Sequence, residues 1–296
     1  MRLKSGEFEA LGTTIMYELP EAFFKTSSQA IKTEAERIEA KFSRFIETSD
    51  VCQLNKHLNE WVEVDAEFYF LLKTAHTLQT ISHDQLNFGT TTLLEHWGYD
   101  AGYNLKAQAP AIAVEPLEIK LKPGLVKINV PLDLGAFGKG YFLDQVCEIL
   151  KAHNVETFMV NAGGDISFKT KSTEPPFKFF LEDPRTQKRL IGECERRHGF
   201  LCASSPSKRK WGVFHHLIKT KSAQPAEDYL ITYVQGEDSG LIADALSTAF
   251  FVSNFKNIEA NFAAYKTHFP SIEVLGVSAE GQIWRSSNFE GTLYKA

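Results

Sequence analysis

Two periodicities divide the chain, one near 3.6 residues and one of two. Ile31, Ala35, Ile38, Phe42 and Phe45 recur at steps of four, three, four and three, which predicts an amphipathic helix capped by Ser27 or Ser28. Thr48-Ser49-Asp50 offers a cap for a short helical turn over VCQLN. Behind Asp65, Phe68, Leu71, Leu72, Ala75 and Leu78 predict a further helix, and others are expected over 239–252 and about 257–267. Residues 7–19 alternate as a strand broken by Gly12 would. Alternation or β-rich composition also predicts strands at Val126, Ile128 and Val130, at ETFMV, over 214–218, and over 229–234. FKFFLEDP and LIGECE look like strands around a turn, and IEVLGVSA with QIWRSS forms a hairpin around Glu280-Gly281. Residues 83–99 read as a loop leading into a short helix, 100–125 as short strands punctuated by Pro and Gly, and 208–211 as a loop.

The stretch LDLGAFGKGYFLDQVCEIL, residues 132–150, stands out. Asp133 is followed by Gly135, Gly138 and Gly140 around Lys139, and then by Phe142, Val146, Ile149 and Leu150 on one helical face. A glycine-rich turn thus joins a strand to a helix start, where free N–H groups favour anions such as phosphate. The same turn also serves plain packing in many proteins.

The 296 residues, 43% hydrophobic and 23% charged, supply an ample core, with no internal repeat and no low-complexity linker to mark a boundary. A net charge of −5 argues against a nucleic-acid binder, and the runs Arg196-Arg197-His198 and Lys208-Arg209-Lys210 read as solvated loops. Cys52, Cys147, Cys194 and Cys202 form no CxxC pair, as expected of free thiols in a reducing compartment. No apolar run is long enough to span a membrane, and residues 1–19 lack a signal-peptide core. The expectation is a cytoplasmic chain, or an exported one only if a leader was removed before residue 1.

Several residues could carry chemistry. Asp244 and Thr248 are four apart on one helix and share a face, as hard oxygen donors for Mg²⁺ or as a capping or surface pair. Alternation places one of His215 and His216 inward, as a base, nucleophile or ligand, or as a core histidine. No HExxH is present to support a zinc hydrolase. Asn161-Ala162-Gly163-Gly164-Asp165 is a turn whose glycines let a backbone or ligand approach closely. Lys139 is a phosphate partner or merely a helix-start cation, a place the helix dipole disfavours.

Together these residues resemble the ApbE family, the FAD:protein FMN transferases. Leu11-Gly12-Thr13 is similar to the family's early MGT. Phe42-Ser43-Arg44-Phe45, Ser49-Asp50-Val51 with Leu54-Asn55, and Leu93 with Trp97-Gly98-Tyr99 resemble its next motifs. Asp133-Leu134-Gly135-Ala136 with Lys139-Gly140-Tyr141 and Asp144 is close to its D-L-G-x-x-x-K-G-Y-x-x-D. The Gly163-Gly164-Asp165 turn, Ala203-Ser204-Ser205, His215-His216-Leu217-Ile218 and the run from Ala243 to Ala249 complete the series, which covers about residues 11 to 289.

The resemblance implies a single ApbE-like (T-fold-like) domain over 1–296. Its fold would be α+β, with mixed, mostly antiparallel sheets packed with helices. It implies an enzyme that cleaves FAD with Mg²⁺, releases AMP, and joins FMN through its phosphate to a threonine or serine of an acceptor protein. By family position Asp244, Thr248 and the Ala136 carbonyl hold Mg²⁺, while Asp133 and Lys139 contact FAD. Leu11, Phe45, Gln85, Leu86, Asn87 and Ile218 fall on flavin-pocket positions. His216 sits at the reacting phosphate, as proton acceptor or transient nucleophile. A degenerate relative that binds FAD or a nucleotide without efficient transfer, or only hydrolyses FAD to FMN and AMP, is the alternative. Its motive is a set of departures. Asn87 and Gly89 replace the usual aspartate and threonine, Phe45 replaces tyrosine, and Lys219-Thr220-Lys221-Ser222-Ala223 replaces D-P-x-T-G. Lys219 is expected to disfavour a protonated His216 or to reach a phosphate itself.

Overall fold

An eight-stranded sheet frames the computed structural model, which describes residues 2–100, 102, 104–106, 112–186 and 189–294. Its strands lie side by side in chain order: Leu3–Ala10, Thr13–Pro20, Phe158–Ala162, Asp165–Lys169, His198–Ser204, Tyr229–Gly236, Glu273–Ser278 and Ile283–Arg285. Every neighbouring pair is antiparallel. Helices and smaller sheets therefore enter as insertions between adjacent strands. The helices are α1 (Phe24–Phe42), α2 (Asp50–Asn55), α3 (Ala66–Ile81), α4 (Thr91–His96), α5 (Gly138–Ala152), α6 (Gly240–Phe251) and α7 (Ile258–His268). This is the expected α+β arrangement of mostly antiparallel sheets packed with helices.

Alternation along Tyr229–Gly236 shows how both faces of the sheet are covered. Ile231 and Tyr233 pack with Phe179, Leu181 and Phe289 beneath a three-stranded sheet, Phe177–Glu182, Leu190–Arg196 and Thr292–Leu293. Val234 points the other way, into the large core shared with α1, α3, α5 and α6. Thr232 on that same face donates to the Ser247 carbonyl of α6 at 2.7 Å. The caps at Ser49, Asp65 and Ser239 form as their sequence predicts, each side chain accepting a backbone N–H. No helix among the described residues is long and apolar enough to cross a membrane.

Other elements differ from expectation. Residues 7–19 are not one broken strand. Leu11 and Gly12 both take positive φ, 55° and 66°, and this two-residue turn folds the segment into a hairpin. Neither Ser27 nor Ser28 caps α1, which starts at Phe24 after the short 3₁₀ turn Glu21–Phe23; Ser27 is buried against Nδ1 of His153 at 2.9 Å. The loop expected over 208–211 and the strand over 214–218 become two small pairs. Lys210–Trp211 pairs with Phe214–His215, and Ile218–Lys219 pairs with Gln224–Pro225. The run 196–198 is not a solvated loop either, since Arg196 is buried in a strand and reaches Glu237 and Glu290. Within 100–125, Ile119–Lys122 forms a strand, and part of that stretch lies outside the described residues.

Candidate active site

Helices α5 and α6 meet close to their N-termini, where Gly140 and Gly240 bring the two backbones together. A Cβ on Gly140 would stand 2.2 Å from the Gly240 carbonyl oxygen, so no larger residue fits there without moving a helix. Each helix start is satisfied by a carboxylate from the other. Asp144 of α5 accepts from Gly240 N at 2.6 Å, from Leu241 N at 3.1 Å and from Ser239 Oγ at 2.8 Å. Asp244 of α6 accepts from Gly140 N at 2.8 Å through Oδ2. Both arrangements place negative charge at the positive end of a helix dipole. Asp244 is thus neither a surface group nor a cap of its own helix.

Around this crossing lies a charged cluster. Lys139 pairs with the fully buried Asp165, and its Nζ is 3.9 Å from Asp244 Oδ1. Asp165 also accepts from Ala203 N at 3.0 Å. Burial works against the Lys139 ammonium, but the charges of Asp165 and Asp244 outweigh it and hold its pKa above the ordinary value. Burial, and then the neighbouring Asp165, push the Asp244 carboxyl upward. Two carboxylates share this one ammonium, and the charge of Arg209 also reaches Asp244.

A cavity of about 670 Å³ borders the cluster. Asp133, Ala136, Lys139, Asp244 and Thr248 line it, together with His216, Leu11, Phe45, Gln85, Leu86, Asn87 and Ile218. All the residues that the family resemblance assigns to the site therefore line one cavity, whereas His215 and Asn161 do not. Asn55 fixes the approach to it. Its side-chain amide donates to the Leu132 carbonyl and accepts from Leu132 N, both at 2.9 Å. Asp133 then accepts from Gly135 N at 2.8 Å and from Arg44 Nε at 3.0 Å. Thr248 Oγ1 lies 3.1 Å from Ser204 Oγ, which also meets Ser247 Oγ at 2.8 Å.

The two histidines face different surroundings. His215 turns to the core, edge-on to Phe251, and accepts from Leu217 N at 3.2 Å; burial, then the charge of Lys210, lowers it to about 4. His216 faces the cavity, and among the described residues its buried Nδ1 has no hydrogen-bond partner. Burial, followed by the charges of Arg209, His215 and Lys139, lowers it to about 3, so the ring is neutral near pH 7.

Among the described residues no group of three or more His, Cys, Asp and Glu side chains is placed to hold a metal ion. The oxygen set at hand is smaller: the Asp244 carboxylate, the Thr248 hydroxyl and the backbone carbonyl of Ala136, all on the cavity wall. A small set of hard protein oxygens with one carboxylate among them suits Mg²⁺, which keeps waters and takes substrate phosphates.

Residues 11–272 match the ApbE family. The chain belongs to this family. Its relatives include the FAD:protein FMN transferase of Haemophilus influenzae, 25% identical with 82% of this chain and 79% of the relative aligned. The enzyme of the same name from Vibrio cholerae is 22% identical over 96% of this chain and 91% of its own length. The crystal structure of the ApbE protein from Thermotoga maritima superposes with a TM-score of 0.88 at 28% identity, covering 97% of this chain and 98% of that one.

The departures from the ApbE pattern have local explanations. Asn87 Oδ1 accepts from Gly89 N at 2.7 Å, and a Cβ on Gly89 would come within 2.8 Å of Leu117 and 2.9 Å of Val130. The two replacements are therefore one unit, an amide turn closing on a glycine that has no room for threonine. Lys219 does not line the cavity. It pairs with Asp228 and donates to Asn254 at 2.9 Å, so the expectation that it bears on His216 or on a phosphate is corrected. Arg209 and Lys139 are the permanent cations that bear on the ring. Ala223 stands where the family has glycine and keeps the left-handed backbone, with φ of 50°. Sequence reasoning also passed over Asp165 and Arg44. The first was read only as the end of a glycine turn. The second lay inside a quoted motif, and its buried guanidinium sits 4.1 Å over the Phe45 ring.

Proposed function

We propose that the protein transfers FMN from FAD to a threonine or serine hydroxyl of an acceptor protein and releases AMP. The reading is supported by one observation above all. Residues as far apart as Leu11, Lys139, His216 and Asp244 converge on a single cavity in a chain of the ApbE family. Asp244, Thr248 and the Ala136 carbonyl would hold Mg²⁺, which supplies neutralisation of charge on phosphate oxygens. Leu11, Phe45, Leu86 and Ile218 offer the flavin ring an apolar enclosure, with Gln85 and Asn87 as its polar groups. Asp133 and Lys139 meet the remainder of the dinucleotide. His216, neutral and with Nδ1 unpartnered, takes the proton of the attacking hydroxyl. The hydroxyl oxygen bonds to the FMN phosphorus, the pyrophosphate P–O bond breaks, and its electron pair leaves on AMP.

The test is to incubate the full chain with FAD, Mg²⁺ and a threonine-containing acceptor domain, following AMP and acceptor mass. An acceptor heavier by one FMN is expected. FAD that stays bound but uncleaved would sink the proposal. Asp244→Asn keeps an oxygen for Gly140 N, so it should fold while losing Mg²⁺-dependent AMP release by about 100-fold or more. AMP release at the wild-type rate in that variant would remove Asp244 from the site.

A further inference from the structure

Among the described residues the cavity wall carries three permanent cations, and two are already neutralised. Lys139 is held by Asp165 and Asp244, and Arg44 by Asp133 with Glu95 3.6 Å away. Arg209 differs. Among the described residues it has no carboxylate partner, and its side-chain hydrogen bond goes from Nη2 to the Gly12 carbonyl at 3.3 Å. A guanidinium with donors to spare, on the wall of a half-enclosed cavity, is matched in charge and fork geometry to phosphate oxygens.

Its position is fixed from both sides. Before it, the 3₁₀ turn Pro206–Lys208 closes when Arg209 N donates to the Pro206 carbonyl at 3.0 Å. After it, Trp211 anchors the chain by donating Nε1 to the Trp97 carbonyl at 2.8 Å and by stacking on Tyr99 at 5.4 Å. Arg209 lines the same cavity as His216, Lys139 and Asp244.

We propose that Arg209 binds the pyrophosphate of the dinucleotide and supplies the uncompensated positive charge that holds it beside His216. This rests on the FAD reading given above. A hydrogen bond between charged groups in such a site is worth a factor of about 10 to 100 in affinity.

The experiment compares FAD with riboflavin, which has the ring but no phosphate. Each is titrated by flavin fluorescence into the full chain, the Arg209→Gln variant and the Arg209→Lys variant. The Gln variant should bind FAD about 10- to 100-fold more weakly while binding riboflavin within about twofold of wild type. The Lys variant should recover part of the FAD loss, because it restores the charge but not the fork. Unchanged FAD affinity in the Gln variant would overturn the proposal. So would an equal loss for riboflavin, which would make Arg209 only a tie to Gly12. Arg209-dependent FAD binding without AMP release would sink the transferase reading and leave this one standing.

Discussion

Gly140→Ala is the most exacting perturbation this architecture offers. The added Cβ would lie 2.2 Å from the Gly240 oxygen, 2.6 Å from its carbonyl carbon and 2.7 Å from Asp244 Cβ. Ordinary contact needs more than 3 Å, so α5 and α6 must part by about 1 Å in an interior that is close-packed. Overpacking of this kind costs about 1–3 kcal/mol, and weakening the buried Gly140–Asp244 hydrogen bond adds about 1–3 kcal/mol. The better helix propensity of alanine returns about 1 kcal/mol, for a net loss of about 1–5 kcal/mol, centred on about 3. A urea titration should show the midpoint falling by about 1 M. Because Asp244 moves with α6, AMP release should drop by about 100-fold even where the variant is fully folded. Gly138→Ala is the control. It lies in the same helical turn, and its Cβ would meet nothing within 4 Å, so its urea midpoint should not fall below that of wild type. A Gly140→Ala variant with wild-type midpoint and activity would refute the claim that the crossing is rigid and sets the site.

Three further outcomes follow from the geometry. Ala223→Gly relieves a left-handed alanine and should stabilise the fold by about 1 kcal/mol, a rise of about 2 °C in melting temperature by calorimetry. Lys219→Asp restores the family's residue but sets a carboxylate against Asp228. It should lose about 1–2 kcal/mol in a denaturant titration and gain no turnover, whereas faster turnover would show that the lysine damages catalysis. Burial alone would raise Glu67, yet hydrogen bonds from Arg37, Lys41 and Tyr141 prevail and bring it to about 2. Its contribution, about 2 kcal/mol after screening, is complete above the ordinary value of 4.5 and is lost as pH falls towards 2. Acid unfolding of Glu67→Gln should lack that part of the slope.

Much of this was legible in the chain because the signals were local. Asp65 and Ser49 cap the helices they precede, and the stripe from Ile31 to Phe42 is buried as its spacing predicts. The glycine run at 135–140 and the pair Asp244 and Thr248 marked two of the helices that border the cavity. What stayed hidden depends on distance. Nothing local says that Asp144 and Asp244 cap each other's helices, or that Asp165 meets Lys139 from a separate strand. Arg209 was misread because a run of basic residues on a short hairpin has the composition of a solvated loop. Only Trp211, docking under Trp97, turns that segment inward. The hairpin at Leu11-Gly12 was missed because alternation runs on through a two-residue turn without a break in phase.

The cavity wall is built from both ends of the chain, from the Leu11–Gly12 turn near the start to Thr248 on α6. Arg209 bonds directly to that first turn across nearly two hundred residues of sequence. No chain that stops before α6 can contain the site, so binding competence arises only after α6 has left the ribosome and docked on α5. Once formed, occupancy of the cavity is linked to unfolding of the whole frame rather than of one loop, and each bound ligand deepens global stability by mass action. Slowed amide hydrogen exchange in the edge hairpin, at the far end of the sequence from His216, would then report a filled site as faithfully as the histidine itself.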